Sequence, residues 1–350
     1  MNQKEKVLLG MSGGVDSSVS AILLKEQGYE VVGVTMNLIG TNEKEREDAK
    51  KVCDQLGIQH YTLDETAEFK RRVIDPFVKC YEQCLTPNPC VECNRYLKFG
   101  KMYEFAQSLG IDKIATGHYA RIEKDVETGE MVLKKSASLQ KDQSYVLYAI
   151  PKELLSHILF PLEGYESKEE IREIAKKYQL PIAEKPDSQD ICFIPDGDYA
   201  SFLEKQMGKK AKKGKIVNQE GKILGIHKGL HHYTIGQRRG LGIANPVPLF
   251  VRGFREEKNE LVVGEEAELY QSQFQVSDVN WLSDYKEKTL EVTVKVRYHA
   301  KEAKAKISKQ GEKVIVDLYE PQKGITPGQS AVFYQKDQVI GGGKIERMKE

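Results

Sequence analysis

Short all-apolar runs alternate with longer stretches of helical spacing over the first 120 residues. Val7-Leu8-Leu9 predicts a strand covered on both faces, and Val19 to Leu24 predicts a helix whose apolar positions face the sheet. Val31 to Met36 reads as a second buried strand, a charged stretch from about Glu43 to Leu56 as a helix, and Gln59 to Leu63 as a third strand. Ile111 to Tyr119 continues the series, with Thr116-Gly117-His118 at the strand's far end. Such alternation predicts an α/β, doubly wound parallel sheet, in which ligands bind beyond the carboxyl ends of the strands. Met36, Gly117 and His118 should therefore share one crevice with the loop that follows the first strand.

That loop is Gly10-Met11-Ser12-Gly13-Gly14-Val15-Asp16-Ser17-Ser18. Glycines let its backbone N–H groups approach a ligand, and the hydroxyls of Ser12, Ser17 and Ser18 add donors near the positive end of a helix dipole. It reads as an anion cradle. It lacks the lysine of a Walker loop and the G-x-G-x-x-G spacing of a dinucleotide fold.

Pro151 to about Gln179 reads as helical and charged, with Ser167-Lys168-Glu169-Glu170 as a helix start, and Pro181 and Pro186 lead into a loop through Asp187, Ser188, Cys192 and Pro195. Beyond about Gln206, short β-branched segments separated by glycines take over, and Leu290 to Tyr298 alternates strictly. This texture predicts antiparallel β structure. The expected organisation is a nucleotide-binding and catalytic domain over 1–202, a small central β-rich domain over 203–264, and a C-terminal antiparallel β-barrel over 265–350.

A chain of 350 residues is too long for one compact core, which supports two or three domains. No apolar run reaches membrane-spanning length, and Met1 to Lys6 leads straight into the first strand, so the expectation is a cytoplasmic protein with no membrane partner. The net charge of +1 conceals a basic block: residues 207–255 carry 11 Lys and Arg against 1 Asp or Glu. A polyanion such as nucleic acid fits that excess, and Arg238 and Arg239 sit in its Gly-punctuated part.

Six cysteines, at 53, 80, 84, 90, 93 and 192, are too few for a disulfide framework in a chain of this size. Cys90 and Cys93 follow a stiff Pro-Asn-Pro turn and precede an expected helix. A helix dipole and Arg95 would favour thiolate there. Zinc held by Cys80, Cys84, Cys90 and Cys93 is an alternative, as is a pair of half-buried thiols without function.

Ser12 to Ser17, SGGVDS, resembles the PP-loop of ATP pyrophosphatases, which adenylate an oxygen of their substrate and release pyrophosphate. With TPNP-x-x-x-C-N, ATGHYAR, KDQSY, DS-x-x-ICF, TIGQRRGLGI and VRY following in order from Lys6 to Glu346, the chain resembles the bacterial tRNA-specific 2-thiouridylases, the MnmA family. The resemblance implies sulfur transfer to C2 of the wobble uridine of tRNA. ATP would be bound by Gly10, Met11, Ser12, Gly13, Gly14, Val15, Asp16, Ser17, Met36 and Gly117, with Asp16 positioning Mg²⁺.

By the same resemblance Cys192 accepts sulfur as a persulfide from a donor protein, a cysteine desulfurase or a relay protein, and Cys93 releases it by forming a disulfide. Asn88, Pro89 and Cys90 would line the base pocket, His118 would touch RNA there, and Lys141, Asp142, Gln143, Arg297, Tyr298 and Gln329 would contact tRNA. Two departures stand out. Cys90 occupies a position where many relatives have Asp, which opens an alternative in which Cys90, Cys93 and Cys192 hold a 4Fe–4S cluster with one open iron. Cys84-Leu85 replaces the usual Gly-Arg, so a basic contact is missing. Competing readings are a PP-loop enzyme that uses nitrogen, of amidotransferase or lysidine type, and a zinc-containing nucleic-acid-binding module without catalysis.

Overall fold

The computed structural model describes residues 4–40, 43–185, 191–284 and 287–347. Its N-terminal part is built on a parallel sheet of β1 (Lys6–Gly10), β2 (Glu30–Asn37), β3 (Gln59–Asp64), β4 (Lys113–Ala115) and, after the hairpin β5 (Arg121–Lys124) and β6 (Met131–Lys134), β7 (Ile158–Leu159). The strand order is β3-β2-β1-β4-β7, every neighbouring pair parallel. The chain reverses direction across the sheet between β1 and β4, so the crevice at their carboxyl ends is the topological switch point. Val7, Leu8 and Leu9 are fully buried, each stabilising by about 1.5 to 3 kcal/mol relative to exposure.

Helices α1 (Val15–Glu26) and α2 (Glu43–Leu56) follow the first two strands. Every residue of α1 from Val15 to Leu24 except Asp16 is buried, so α1 is a core helix enclosed on most sides.

Two longer helices each contain a wide π segment. The first runs through α3 (Thr66–Phe69), a π turn at Lys70–Ile74 and α4 (Asp75–Glu82); the widening falls just before Pro76, whose ring cannot donate to the preceding turn. The second joins α5 (Pro89–Cys93), a π segment at Asn94–Lys101 and α6 (Met102–Ser108). Asn88 caps it, its Oδ1 accepting from the Cys90 amide at 3.2 Å, and Pro89 fits the first turn because no partner exists there for an N–H. The expectation that this helix starts after the cysteines is corrected: Cys90 and Cys93 lie within its first two turns.

The expected helix over 151–179 is also corrected. Lys152–His157 is a 3-10 stretch, β7 adds an edge strand, and only α7 (Lys168–Lys177) is α-helical. Pro161 and Gly164 break the run, and a two-residue strand is too short to show a period. The start of α7 is as expected, with a reciprocal cap between Ser167 and Glu170.

After α8 (Tyr199–Met207), the central segment forms a four-stranded sheet from β8 (Gly214–Val217), β9 (Ile223–His227), β10 (Phe250–Arg255) and β11 (Glu260–Gly264) around Ile216, Tyr233, Val251 and Leu261. The last third is an antiparallel barrel of β12 (Tyr270–Trp281), β13 (Thr289–Lys295), β14 (Ala303–Gln310), β15 (Lys313–Lys323), β16 (Ser330–Gln335) and β17 (Gln338–Ile345), closed by pairing β12 with β17. The β5–β6 hairpin joins the barrel sheet through Lys134 and Gln338. Tyr145 and Tyr148 hydroxyls reach Ser330, and Leu8 and Val34 share a core with Val332 and Tyr334, so the parallel sheet and the barrel are packed together.

Candidate active site

The glycine-serine loop crosses from the end of β1 to the start of α1. Gly13 has φ +67°, and a Cβ there would lie 2.4 Å from the Glu45 carbonyl oxygen of α2. Gly117, beyond β4, approaches so closely that its Cβ would meet the Ser17 amide at 2.9 Å. The loop is thus clasped between α2 and the Thr116-Gly117-His118 turn. Its hydroxyls organise it from within: Ser17 and Ser18 donate to the Gly14 carbonyl at 3.2 and 2.8 Å, and the Ser12 amide donates to the Ser17 hydroxyl at 3.2 Å. The amides and the dipole of α1 remain the means of holding an anion.

No lysine stands in the loop, yet two reach it from distant sequence. Lys168, at the start of α7, places Nζ 2.6 Å from each carboxylate oxygen of Asp16, whose Oδ1 also accepts from the Tyr119 hydroxyl at 2.8 Å. Lys185 donates to the Gly13 carbonyl at 3.0 Å and to Asp48 at 2.8 Å. Both escaped the sequence reading, because a residue 150 positions away leaves no local spacing to detect. For Mg²⁺ the fit is poor: the ammonium of Lys168 sits on both oxygens that Asp16 would offer a cation.

Cys93 is 7% exposed and packs in one apolar cluster with Phe69, Phe77, Leu97 and Phe193. The Phe193 ring anchors its own loop, lying 5.7 Å from Phe69 and 5.3 Å from Phe77. That loop carries Cys192, so the two cysteines, nearly a hundred residues apart in sequence, are neighbours. Cys90 belongs to the same group, since the sulfurs of Cys90, Cys93 and Cys192 all sense one another. Cys90 and Cys192 are exposed as residues although their thiol groups are desolvated by the protein around them, and all six cysteines are free thiols.

The expected thiolate is corrected. Burial pushes the Cys93 thiol up to about 12, with Lys98 opposing and Cys192 and Cys90 adding to the rise. Burial raises Cys90 and Cys192 as well, again opposed by Lys98. Desolvation outweighs the helix dipole, and Arg95 is turned away to Asp278 at 3.6 Å and the Tyr96 ring at 5.3 Å. The cation facing the thiols is Lys98, another residue the spacing did not single out.

The zinc reading of Cys80, Cys84, Cys90 and Cys93 is also corrected, as these ligand atoms do not converge among the described residues. Cys80 instead lines a cavity of about 510 Å³ between the thiol helix and the barrel, together with Asn88, Pro89, Tyr148 and Lys344. Asn88 and Pro89 therefore face this cavity, whereas Cys90 faces the other thiols. Asp187 and Ser188 lie outside the described residues.

Several expected tRNA contacts are engaged inside the protein. His118 is 9% exposed, shares a 2.8 Å hydrogen bond with Thr116 and lies between the rings of Phe99 and Phe160; burial, with Lys98, holds it neutral. Asp142 accepts from the Ser136 and Ser144 amides at 3.1 Å each, and Gln143 accepts from the Tyr119 amide at 2.9 Å. Gln329 donates to the Thr86 carbonyl at 2.8 Å, holding the Thr-Pro-Asn-Pro turn. Arg297 bonds Thr326 at 2.7 Å and the Ile235 carbonyl at 3.2 Å, tying the central segment to the barrel. These five side chains serve as internal braces. Met36 packs on the core at the end of β2. Tyr298 is half-buried against Tyr145 and close to Cys90, and Lys141 is half-buried. Arg238 and Arg239 are exposed, with no ion-pair partner among the described residues.

Three family models cover the chain: residues 5–196 match one described as a tRNA methyl transferase HUP domain, 200–265 a tRNA methyl transferase PRC-barrel domain, and 271–345 an aminomethyltransferase beta-barrel domain. The chain is 48% identical over 362 residues to the tRNA-specific 2-thiouridylase MnmA 2 of Thermoanaerobacter sp. (strain X514), covering 99% of both chains. It is 48% identical over 360 residues to MnmA of Caldicellulosiruptor saccharolyticus, covering 98% of this chain and 99% of that one, and 45% identical to MnmA of Clostridioides difficile (strain 630), covering 99% of both. Nearly full-length identity at this level, on a chain that joins a glycine-serine loop to two neighbouring thiols, makes it a member of the MnmA family of tRNA-specific 2-thiouridylases.

Proposed function

We propose that the chain catalyses ATP-dependent 2-thiolation of the wobble uridine of tRNA, as a tRNA-uridine 2-sulfurtransferase. The observation that carries this is the pairing of Cys93 with the Cys192 loop, on a sheet whose switch point holds the glycine-serine loop. A uracil C2 oxygen is a poor leaving group. Its attack on the α-phosphorus of ATP expels pyrophosphate, and the adenylated oxygen can then leave as AMP. The loop amides, with Lys168 and Lys185, are suited to stabilise the charge that develops on the phosphates.

Sulfur arrives from a donor protein as a persulfide on Cys192, which is exposed. Cys93 then attacks the inner sulfur of that persulfide; a Cys93–Cys192 disulfide forms, hydrosulfide is released and adds to C2, and AMP departs. An external thiol must reduce the disulfide before the next turnover. Cys93 has to lose its proton, and Lys98 is the group placed to help. Lys168 occupies both oxygens of Asp16, so this carboxylate is engaged by an ammonium rather than offered to a cation. Residues 1–202 carry this chemistry in our reading, 203–264 bind tRNA, and 265–350 brace both.

The third neighbouring thiol, Cys90, supports the alternative of a 4Fe–4S cluster on Cys90, Cys93 and Cys192, which would bind and deliver sulfide. The enclosure of Cys93 among aromatic rings favours the persulfide route. Incubation with ATP, a sulfur donor and unmodified tRNA should yield AMP, pyrophosphate and 2-thiouridine, and Cys93→Ser or Cys192→Ser should abolish the last. 2-Thiouridine that still forms in both variants would overturn the two-cysteine route, and a product carrying nitrogen in place of sulfur would indicate a nitrogen-using enzyme of the same fold. Iron in anaerobically purified protein would select the cluster.

A further inference from the structure

Away from the thiols, Glu204 in the middle of α8 faces His231 and His232, on the 3-10 turn Leu230–His232 of the central segment. The Glu204 Oε1 lies 3.5 Å from the Nε2 of His232 and 3.9 Å from that of His231, and the three ligand atoms all fall within 4.8 Å of one another. Both Nε2 atoms are sealed from solvent and have no hydrogen-bond partner among the described residues. Two sealed, unsatisfied imidazole nitrogens aimed at one carboxylate are costly as a purely structural arrangement.

We propose that Glu204, His231 and His232 bind a divalent transition metal of the zinc class, which pins α8 to the central segment. Four-coordinate zinc with bonds of about 2.0 to 2.2 Å needs ligand atoms about 3.4 Å apart, close to the two Glu204–His separations, and the two imidazole nitrogens, within 4.8 Å of each other, would draw together on binding. Two imidazoles and one carboxylate select zinc, cobalt or nickel over magnesium or calcium. The remaining position is left to water. Glu204 Oε1 also accepts from the Ala211 amide at 3.3 Å, which orients the carboxylate as outer partners of metal ligands do.

The surrounding charges are compatible with a cation. Lys209 opposes positive charge at His231 but pairs with Glu82 at 3.2 Å, while Asp198 faces His232 from the start of α8. His227, also felt at His232, is tied to the Asn259 carbonyl at 3.0 Å and is not a ligand. The position has a consequence: α8 follows the Cys192 loop, and His231-His232 precede the stretch with Arg238 and Arg239. The metal would fix the basic stretch relative to the thiol loop.

The test uses full-length protein freed of metal by chelation, titrated with Zn²⁺ by calorimetry and with Co²⁺ by visible absorption. One equivalent of Co²⁺ should bind with the bands of a four-coordinate ion and without the charge-transfer absorption of a thiolate. Zn²⁺ should raise Tm, and binding should weaken on acidification, because an imidazole ligates only in its neutral form. Glu204→Gln and His232→Gln should each weaken binding at least about tenfold, and His227→Gln should leave it intact. The proposal is overturned if no saturable binding occurs, if bound Co²⁺ shows thiolate absorption alone, or if both ligand variants, folded by circular dichroism, bind as tightly as the parent.

Discussion

Lys168 grips Asp16 through both carboxylate oxygens at 2.6 Å, joining the first turn of α7 to the first turn of α1 across 152 residues of sequence. The pair sits at the positive end of α1, where phosphates of ATP would also be drawn. A lysine that holds an aspartate there is already delivered to the phosphate site, so the loop gains the cation that its own residues lack.

Lys168→Met should therefore lower AMP formation on the order of a hundredfold, as loss of a donor to developing charge does, while tRNA affinity stays unchanged. Lys185→Met should act in the same direction. Rapid-quench measurement of pyrophosphate release checks both; unchanged release would remove the lysines from the reaction.

Cys93→Ser should stop thiolation yet permit ATP-dependent adenylation of tRNA, since the two half-reactions use different groups. Cys90→Ser separates the routes, because a persulfide mechanism should tolerate it and a cluster on three thiolates should not. Mass spectrometry of the digested tRNA reads the outcome.

Burial pushes Cys53, Cys84 and Cys93 each up to about 12 from a usual value near 9. Below pH 9 these thiols are neutral in both folded and unfolded chains, so they leave stability independent of pH. Above it the unfolded chain ionises first, and stability falls as pH rises toward 12, by about 1.4 kcal/mol per pH unit for each thiol. Cys53→Ala should flatten that decline by about one proton, measurable by urea unfolding at pH 8.5 and pH 10.

Replacing Arg238 and Arg239 by Gln should weaken tRNA binding and reduce the slope of log affinity against log salt by about 1 to 2. ATP binding should not change. A salt dependence equal to that of the parent would place the RNA path elsewhere.

Arg297→Ala offers the contrast. Its bonds to Ile235 and Thr326 brace the structure, so the expected result is a stability loss of about 1 to 3 kcal/mol with the salt slope preserved.

Much of the frame was legible in the sequence because it is written in local periods. Val7 to Leu9, Val31 to Met36 and the run from Glu43 to Leu56 announce their elements directly, and Ser167 with Glu170 marks a helix start at the residue where it occurs. What stayed hidden depends on distance or on burial. Lys168 and Lys185 reach the loop through folding alone. Motif position drew attention to His118, Asp142, Gln143, Arg297 and Gln329, but position in a motif does not say whether a polar side chain faces a ligand or a backbone carbonyl. The dipole argument for ionised cysteines failed because it counted the field of the helix and omitted the apolar wall around Cys93.

That wall gives the two sulfurs unequal lives. Cys192 is an exposed residue, whereas Cys93 is buried in the apolar cluster that also holds Phe69, Phe77 and Phe193. A peroxide or an alkylating agent in the cell encounters the outer atom first, and damage there leaves the inner one intact. The residue that must be trusted to act last is the one kept out of reach until its partner has something to give.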